Sequence, residues 1–182
     1  TGVVFVRTDL EDPVRIEAVY SNVAQRPRRT ALEKGDVYVE TVEHCLAAVN
    51  GLEIDNLIIE IDSTELPAGD CSAKEFLKIL KKAGVHQQSE PSKELVIDEP
   101  IDITTDGASI YALPFDDDKL NITYDLDYGM HTGIGKQLFS CRLTPELFEK
   151  NLAPARTFLL EAEAIQLQSK GIGKHLGPKD IL

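Results

Sequence analysis

The sequence predicts an α+β fold of two similar units, each a β-sheet layered against α-helices in a β-α-α-β sandwich, the second unit incomplete. Three observations predict it. The apolar pattern runs through strands, a helix, a strand and a helix, and then through strands and helices again. A polar stretch without periodicity, QQSEPSKE at 87–94, separates the two runs and reads as a linker, which gives units over residues 1–88 and 89–182. The second run has no closing strand and helix after its last helical stretch.

The elements follow in order. Residues 3–6 and 14–18 are short runs rich in β-branched residues, divided by Asp and Pro. Residues 28–32 and 36–39 flank Lys34-Gly35, a hairpin turn signal. The period then changes. Thr41 stands where an N-cap belongs, Val42, Leu46 and Val49 share one helical face, and Asn50-Gly51 is a stop signal. Residues 57–61 alternate as a strand. Ser72-Ala73-Lys74-Glu75 reads as the capping box of a second helix, with Phe76, Ile79, Leu80 and Ala83 as its apolar stripe and Gly84 as its end. Beyond the linker, 95–97, 101–103, 109–115, 120–126 and 137–143 read as strands. Thr144-Pro145-Glu146 opens a short helix with Pro at its first position, and 159–170 forms another that stops at Gly171.

Composition excludes some function classes. A net charge of −12 on 182 residues repels phosphate backbones and argues against a nucleic-acid partner. The apolar runs, such as Leu57-Ile58-Ile59, are too short for a membrane span, and no secretory apolar region opens the chain. Cys45, Cys71 and Cys141 are odd in number and form no CxxC, which suits a reducing, cytoplasmic setting. The chain opens Thr1-Gly2-Val3 and closes Ile181-Leu182, and we expect it to be part of a longer protein.

The stretch VETVEHCLAAVNGLEIDN, 39–56, sets Glu43 beside His44 where a helix begins. Adjacent helical side chains lie about 100° apart, so the two do not share a face. They flank one small object at the helix start. A metal ion on the imidazole, carrying a water that the carboxylate deprotonates, fits that arrangement. A hydrolytic zinc needs about three protein ligands, and there is no HExxH. A plainer reading competes: Glu near a helix N-terminus is favoured by the macrodipole alone, and a His there is often a surface group. Spacing does not decide between them.

Longer motifs do. Thr41-Val42-Glu43-His44, the helix Cys45-Leu46-Ala47-Ala48-Val49, then Gly51-Leu52-Glu53-Ile54-Asp55-Asn56 before a strand, resemble the zinc-dependent UDP-3-O-acyl-N-acetylglucosamine deacetylases of lipid A biosynthesis. That family carries TVEH, an LxAAL-like helix and GxxIDN. Glu65-Leu66-Pro67-Ala68-Gly69-Asp70-Cys71-Ser72-Ala73 is similar to its PEIPxxDGSA loop, with Cys71 where glycine is usual. Thr1-Gly2-Val3-Val4-Phe5 with Arg7-Thr8-Asp9-Leu10 resembles its TGxxFxRTDL strand, and Ala155-Arg156-Thr157-Phe158 its ARTF.

The resemblance implies roles. His44 would be the first zinc ligand and Glu43 the general base. The Thr157 hydroxyl would stabilise the oxyanion at the amide carbon, with Phe158 beside it. Asp127-Tyr128 resembles an Asp-Phe pair that holds the glucosamine. The run from Phe158 and Leu159 resembles the start of an inserted element that forms the acyl-chain passage, and it also reads as a plain packing helix. The substrate would be a UDP-linked acylated glucosamine, and the products acetate and a free amine. His131, near a displaced family segment, receives no role; His86 and His175 read as loop histidines. The family's other zinc ligands lie in an HxxxD motif that this sequence lacks, Lys179 standing where His175 would need Asp. This stretch alone is therefore expected to be inactive. A binding module of the same fold without the metal is the alternative function, and an unrelated interaction domain is a third.

Overall fold

A computed structural model describes residues 1–130, 132–171, 173 and 177. His131, His175 and Lys179 lie outside the described residues. The chain forms two compact units. One joins Thr1–His86 to the described residues from Pro145 onward, and the other is Gln87–Thr144. The stretch from Pro145 thus groups with the first unit, whereas the sequence reading assigned it to a unit running from residue 89.

In the first unit, β1 (Val3–Arg7), β2 (Val14–Glu17), β3 (Val23–Arg26), β4 (Arg29–Lys34) and β5 (Val37–Glu40) precede α1 (Glu43–Gly51), β6 (Leu57–Ile61) and α2 (Lys74–Ala83). One sheet has the order β2-β1-β6, and β1 runs antiparallel to β2 and parallel to β6. Its register sets Phe5 opposite both Ile16 and Ile59. The second sheet, β3-β4-β5, is antiparallel, with Leu32 opposite Val39. Gly35, at φ 61°, makes the turn between β4 and β5 that its sequence position predicted.

Phe5, Ile16, Leu32, Val39, Val42, Cys45, Ile61 and Leu66 form one buried cluster, drawn from both sheets, the start of α1 and the segment after β6. Phe5, Ile16, Val39 and Val42 are fully buried, each worth about 1.5–3 kcal/mol against exposure. The buried Arg7 closes the polar side of this junction. Its Nε and Nη2 donate to Asp9 at 2.8 and 2.7 Å, and its Nη1 donates to the Tyr38 carbonyl at 2.7 Å. An Arg buried this deeply needs such a fork of acceptors.

Several local expectations are corrected. Thr41 does not cap α1: the N-cap position is Val42, and Thr41 sits at φ 58° with its hydroxyl on Glu65. The capping box at α2 does not close. Ser72 Oγ accepts the Lys74 N–H at 3.2 Å, while Glu75 pairs with Lys78 instead of reaching back. Leu77 carries the buried face of α2 and Ile79 points outward, because the helix turns that position away from α1 and the core. A strand the sequence did not announce, β3, precedes Pro27.

After Pro145 come α3 (Pro145–Leu147), a π-helical turn over Phe148–Leu152, and α4 (Glu161–Ser169). Phe148 is buried against Gly51 at the end of α1, which explains why this segment belongs with the first unit. The Pro at the first position of α3 is as expected.

The second unit holds two hairpins, β7 (Ile101–Thr105) with β8 (Ala108–Ala112), and β9 (Asn121–Asp127) with β10 (Lys136–Arg142). Each gathers apolar pairs on one face, Ile103 with Ile110 and Tyr124 with Phe139. The opposite face of the second hairpin is polar, with a Thr123–Ser140 hydroxyl bond at 2.8 Å. The expected strand at 95–97 is absent: Leu95 and Val96 are exposed and enter no ladder. Among the described residues no helix is long and apolar enough to cross a membrane. The architecture is α+β, as the sequence predicts.

Candidate functional site

The site begins at a sharp junction. The strand β5 ends at Glu40 and α1 opens at Glu43, so two residues must turn the chain. Thr41 does so in the left-handed region, which is costly for a β-branched residue. Tertiary bonds hold it there. Thr41 Oγ1 donates to Glu65 Oε1 at 2.7 Å, the Glu40 N–H to the Thr64 carbonyl at 2.8 Å, and the Leu66 N–H to the Glu40 carbonyl at 3.1 Å. Arg29 spans Glu40 and Glu65 at 3.1 and 3.2 Å, and Arg26 reaches Glu40 at 3.1 Å. These partly exposed pairs add little energy individually, but they fix the junction from several sides.

Glu43 is half-buried at the first turn of α1, where the helix dipole favours a carboxylate. Its Oε2 accepts the Thr30 N–H from β4 at 3.0 Å. One oxygen is therefore anchored to a strand backbone, and the carboxylate has a set direction. His44 follows it, also half-buried. An open cavity of about 550 Å³ lies along β3 and the turn into β4, lined by Val23, Ala24, Gln25, Arg26, Pro27, Arg29 and Thr30. Glu43 and His44 are not among its lining residues.

Thr157 is brought into the same unit by the 70–72 turn. Its N–H donates to the Cys71 carbonyl at 2.9 Å, and the preceding Arg156 donates Nε–H to the Asp70 carbonyl at 2.8 Å. That turn is itself fixed. The Asp70 carboxylate accepts the Ser72 hydroxyl at 2.6 Å and the Ser72 N–H at 3.2 Å. The Ser72 hydroxyl, with the nearby Arg156 charge contributing less, holds the Asp70 carboxyl below the usual carboxylate range. Cys71 is buried at φ 58°, where glycine would carry no strain. The Thr157 and Phe158 side chains are exposed, and Leu159 is half-buried.

Asp127 and Tyr128 belong to the second unit. Asp127 ends β9 and accepts the Gly129 N–H at 2.8 Å, while the Tyr128 N–H donates to the Gly135 carbonyl at 2.9 Å. Their placement is a property of that hairpin alone. His86 is an exposed coil residue.

Thr30, Asp70 and Cys71 were not singled out as site residues by sequence reasoning. Each acts through a backbone group, which leaves no mark in residue type. Arg156 was visible within its motif, but nothing in the sequence showed what it would bond.

Zinc does not fit the described residues by themselves. No group of three or more His, Cys, Asp and Glu among them could hold a metal ion, and one imidazole is too few for a hydrolytic site. What the arrangement offers directly is an anchored carboxylate able to take a proton and an exposed hydroxyl able to donate a hydrogen bond.

Residues 1–181 match the LpxC family, UDP-3-O-acyl N-acetylglycosamine deacetylase. Among curated proteins, the chain is 35% identical over 96% of its length to the UDP-3-O-acyl-N-acetylglucosamine deacetylase of Bdellovibrio bacteriovorus, covering 57% of that protein. It is 36% identical over 94% of its length to that of Chlamydia felis, covering 60%. It is 37% identical over its whole length to that of Thioalkalivibrio sulfidiphilus, again covering 60%. The chain thus spans somewhat more than half the length of these relatives.

Proposed function

The chain belongs to the UDP-3-O-acyl N-acetylglycosamine deacetylase family, and from that premise we propose that its protein hydrolyses the N-acetyl group of a UDP-3-O-acyl-N-acetylglucosamine, an early step of lipid A biosynthesis. One observation carries the reading furthest: the Glu43 carboxylate of the TVEH motif is anchored on the Thr30 amide, with its direction fixed before substrate arrives.

In this reading Glu43 takes the proton from the attacking water and the Thr157 hydroxyl donates to the oxygen that gains charge at the amide carbon. As that adduct collapses the C–N bond breaks, the proton held on Glu43 passes to the departing nitrogen, and acetate and a free amine on the sugar are left. Asp127 and Tyr128 contact the glucosamine, and Phe158 and Leu159 line the way to the acyl chain. His44 would be one ligand of a zinc ion, which would need further ligands beyond the described residues to polarise the amide carbonyl. The net charge of −12 and the family's substrate suit a cytoplasmic enzyme without a nucleic-acid partner.

The test is direct. The full-length gene product is incubated with UDP-3-O-acyl-N-acetylglucosamine, and acetate and primary amine are measured. Equal release of both supports the proposal. Release of neither, with the substrate still bound, would assign the chain to the binding-module reading instead.

A further inference from the structure

We infer that Arg156 is a positioning residue for Thr157, acting by clamping the Arg156–Thr157 backbone onto the 70–72 turn. The inference rests on the proposed role of Thr157. Two adjacent bonds carry it: Arg156 Nε to the Asp70 carbonyl at 2.8 Å and Thr157 N to the Cys71 carbonyl at 2.9 Å. The segment that receives them is held by bonds of its own. Cys71 is buried in the left-handed region with its own N–H on the Ala68 carbonyl at 2.8 Å, and Ser72, also buried, bonds both the Asp70 carboxylate and the first N–H of α2.

The Thr157 side chain is exposed. Its backbone is held by the bond to Cys71 and by the neighbouring guanidinium. A charged donor on a backbone carbonyl is among the stronger hydrogen bonds a protein makes. Loss of the clamp would let the hydroxyl drift, and a displacement of about 1 Å from productive geometry can cost about 100-fold in rate.

The experiment is a double-mutant cycle in the full-length enzyme, read as kcat and KM separately, with R156M, T157A and the pair. T157A is expected to lower kcat by about 100-fold or more. R156M is expected to lower kcat about 10- to 100-fold with KM changed less than about threefold, and to cost almost nothing further in the T157A background. R156K keeps the charge but lacks the planar Nε donor, so it should recover only part of the loss. It serves the same comparison if R156M does not fold. Added guanidinium should raise kcat of R156A and leave T157A unmoved. The inference is overturned if R156M and R156K keep wild-type kcat while T157A falls, or if R156M costs as much in the T157A background as it does with Thr157 in place. Wild-type kcat in T157A is a different result, and it would remove the role of Thr157 itself.

Discussion

Replacing Gly51 by alanine sets two known effects against each other. Gly51 is the last residue of α1 and is buried. A methyl group there would overlap the ring of Phe148, which is only 6% exposed and has no free side on which to retreat. Helix propensity alone favours alanine over glycine by about 1 kcal/mol. Gly51 has an ordinary helical backbone, so the substitution adds no left-handed strain. Overpacking a filled core costs about 1–3 kcal/mol, and a methyl carbon that overlaps three atoms of one ring belongs in the upper part of that range, about 2–3 kcal/mol. The packing term wins, and G51A should be destabilised by about 1–2 kcal/mol, or roughly 2–8 °C in Tm for a chain of this size. Thermal and urea unfolding measure it. The decisive arm is the F148A background, where the ring is gone. There the same substitution should be neutral or stabilising by up to about 1 kcal/mol. Equal or higher stability of G51A in the wild-type background would refute the close approach of α1 to the π-helical turn. So would an undiminished loss in the F148A background.

Further expectations concern Cys45 and Thr41. Burial pushes the Cys45 thiol up from 9.0 to about 11. Because the folded value exceeds the unfolded one, the native state is fully stable with respect to this group below pH 9 and loses stability as pH rises from 9 towards 11. The limit is about 2–3 kcal/mol. Urea unfolding at pH 7, 9 and 10.5 should show that slope in the wild type and a shallower one in C45A; parallel slopes would contradict it. The T41N variant should be more stable by about 0.5–1 kcal/mol, since asparagine tolerates φ 58° better than a β-branched residue and retains a polar group near Glu65. A lower Tm for T41N would show that the hydroxyl bond outweighs the strain.

How much of this was legible in the sequence depends on whether a feature is local. The strand β6 coincides with its apolar alternation, and the helix α2 starts and ends within a residue or so of its signals, because period and stop residues set both. The turn at Gly35 was visible because only a left-handed residue completes it. β3 was not, since Val-Ala-Gln-Arg alternates weakly and its stability comes from pairing with β4. Thr41 read as a cap because caps are judged by residue type, while its actual conformation is set by Glu65, distant in sequence. The run at 95–97 is apolar, but a strand needs a partner, and none of the described residues pairs with it. Of the candidate site, the side chains Glu43, His44 and Thr157 were readable from motifs. What orients Glu43 and Thr157 was not: the Thr30 amide and the Cys71 carbonyl are backbone groups that every residue type supplies.

The central claim is that Glu43 is the proton acceptor in deacetylation. Its most direct test is steady-state deacetylation by the full-length E43Q variant, with zinc content measured on the same sample. Glutamine keeps the shape and a group that can still accept from the Thr30 amide, but it cannot take a proton from water. Turnover should fall by about 100-fold or more at unchanged zinc content and unchanged Tm. Turnover at the wild-type rate in a folded, zinc-loaded E43Q protein would contradict it.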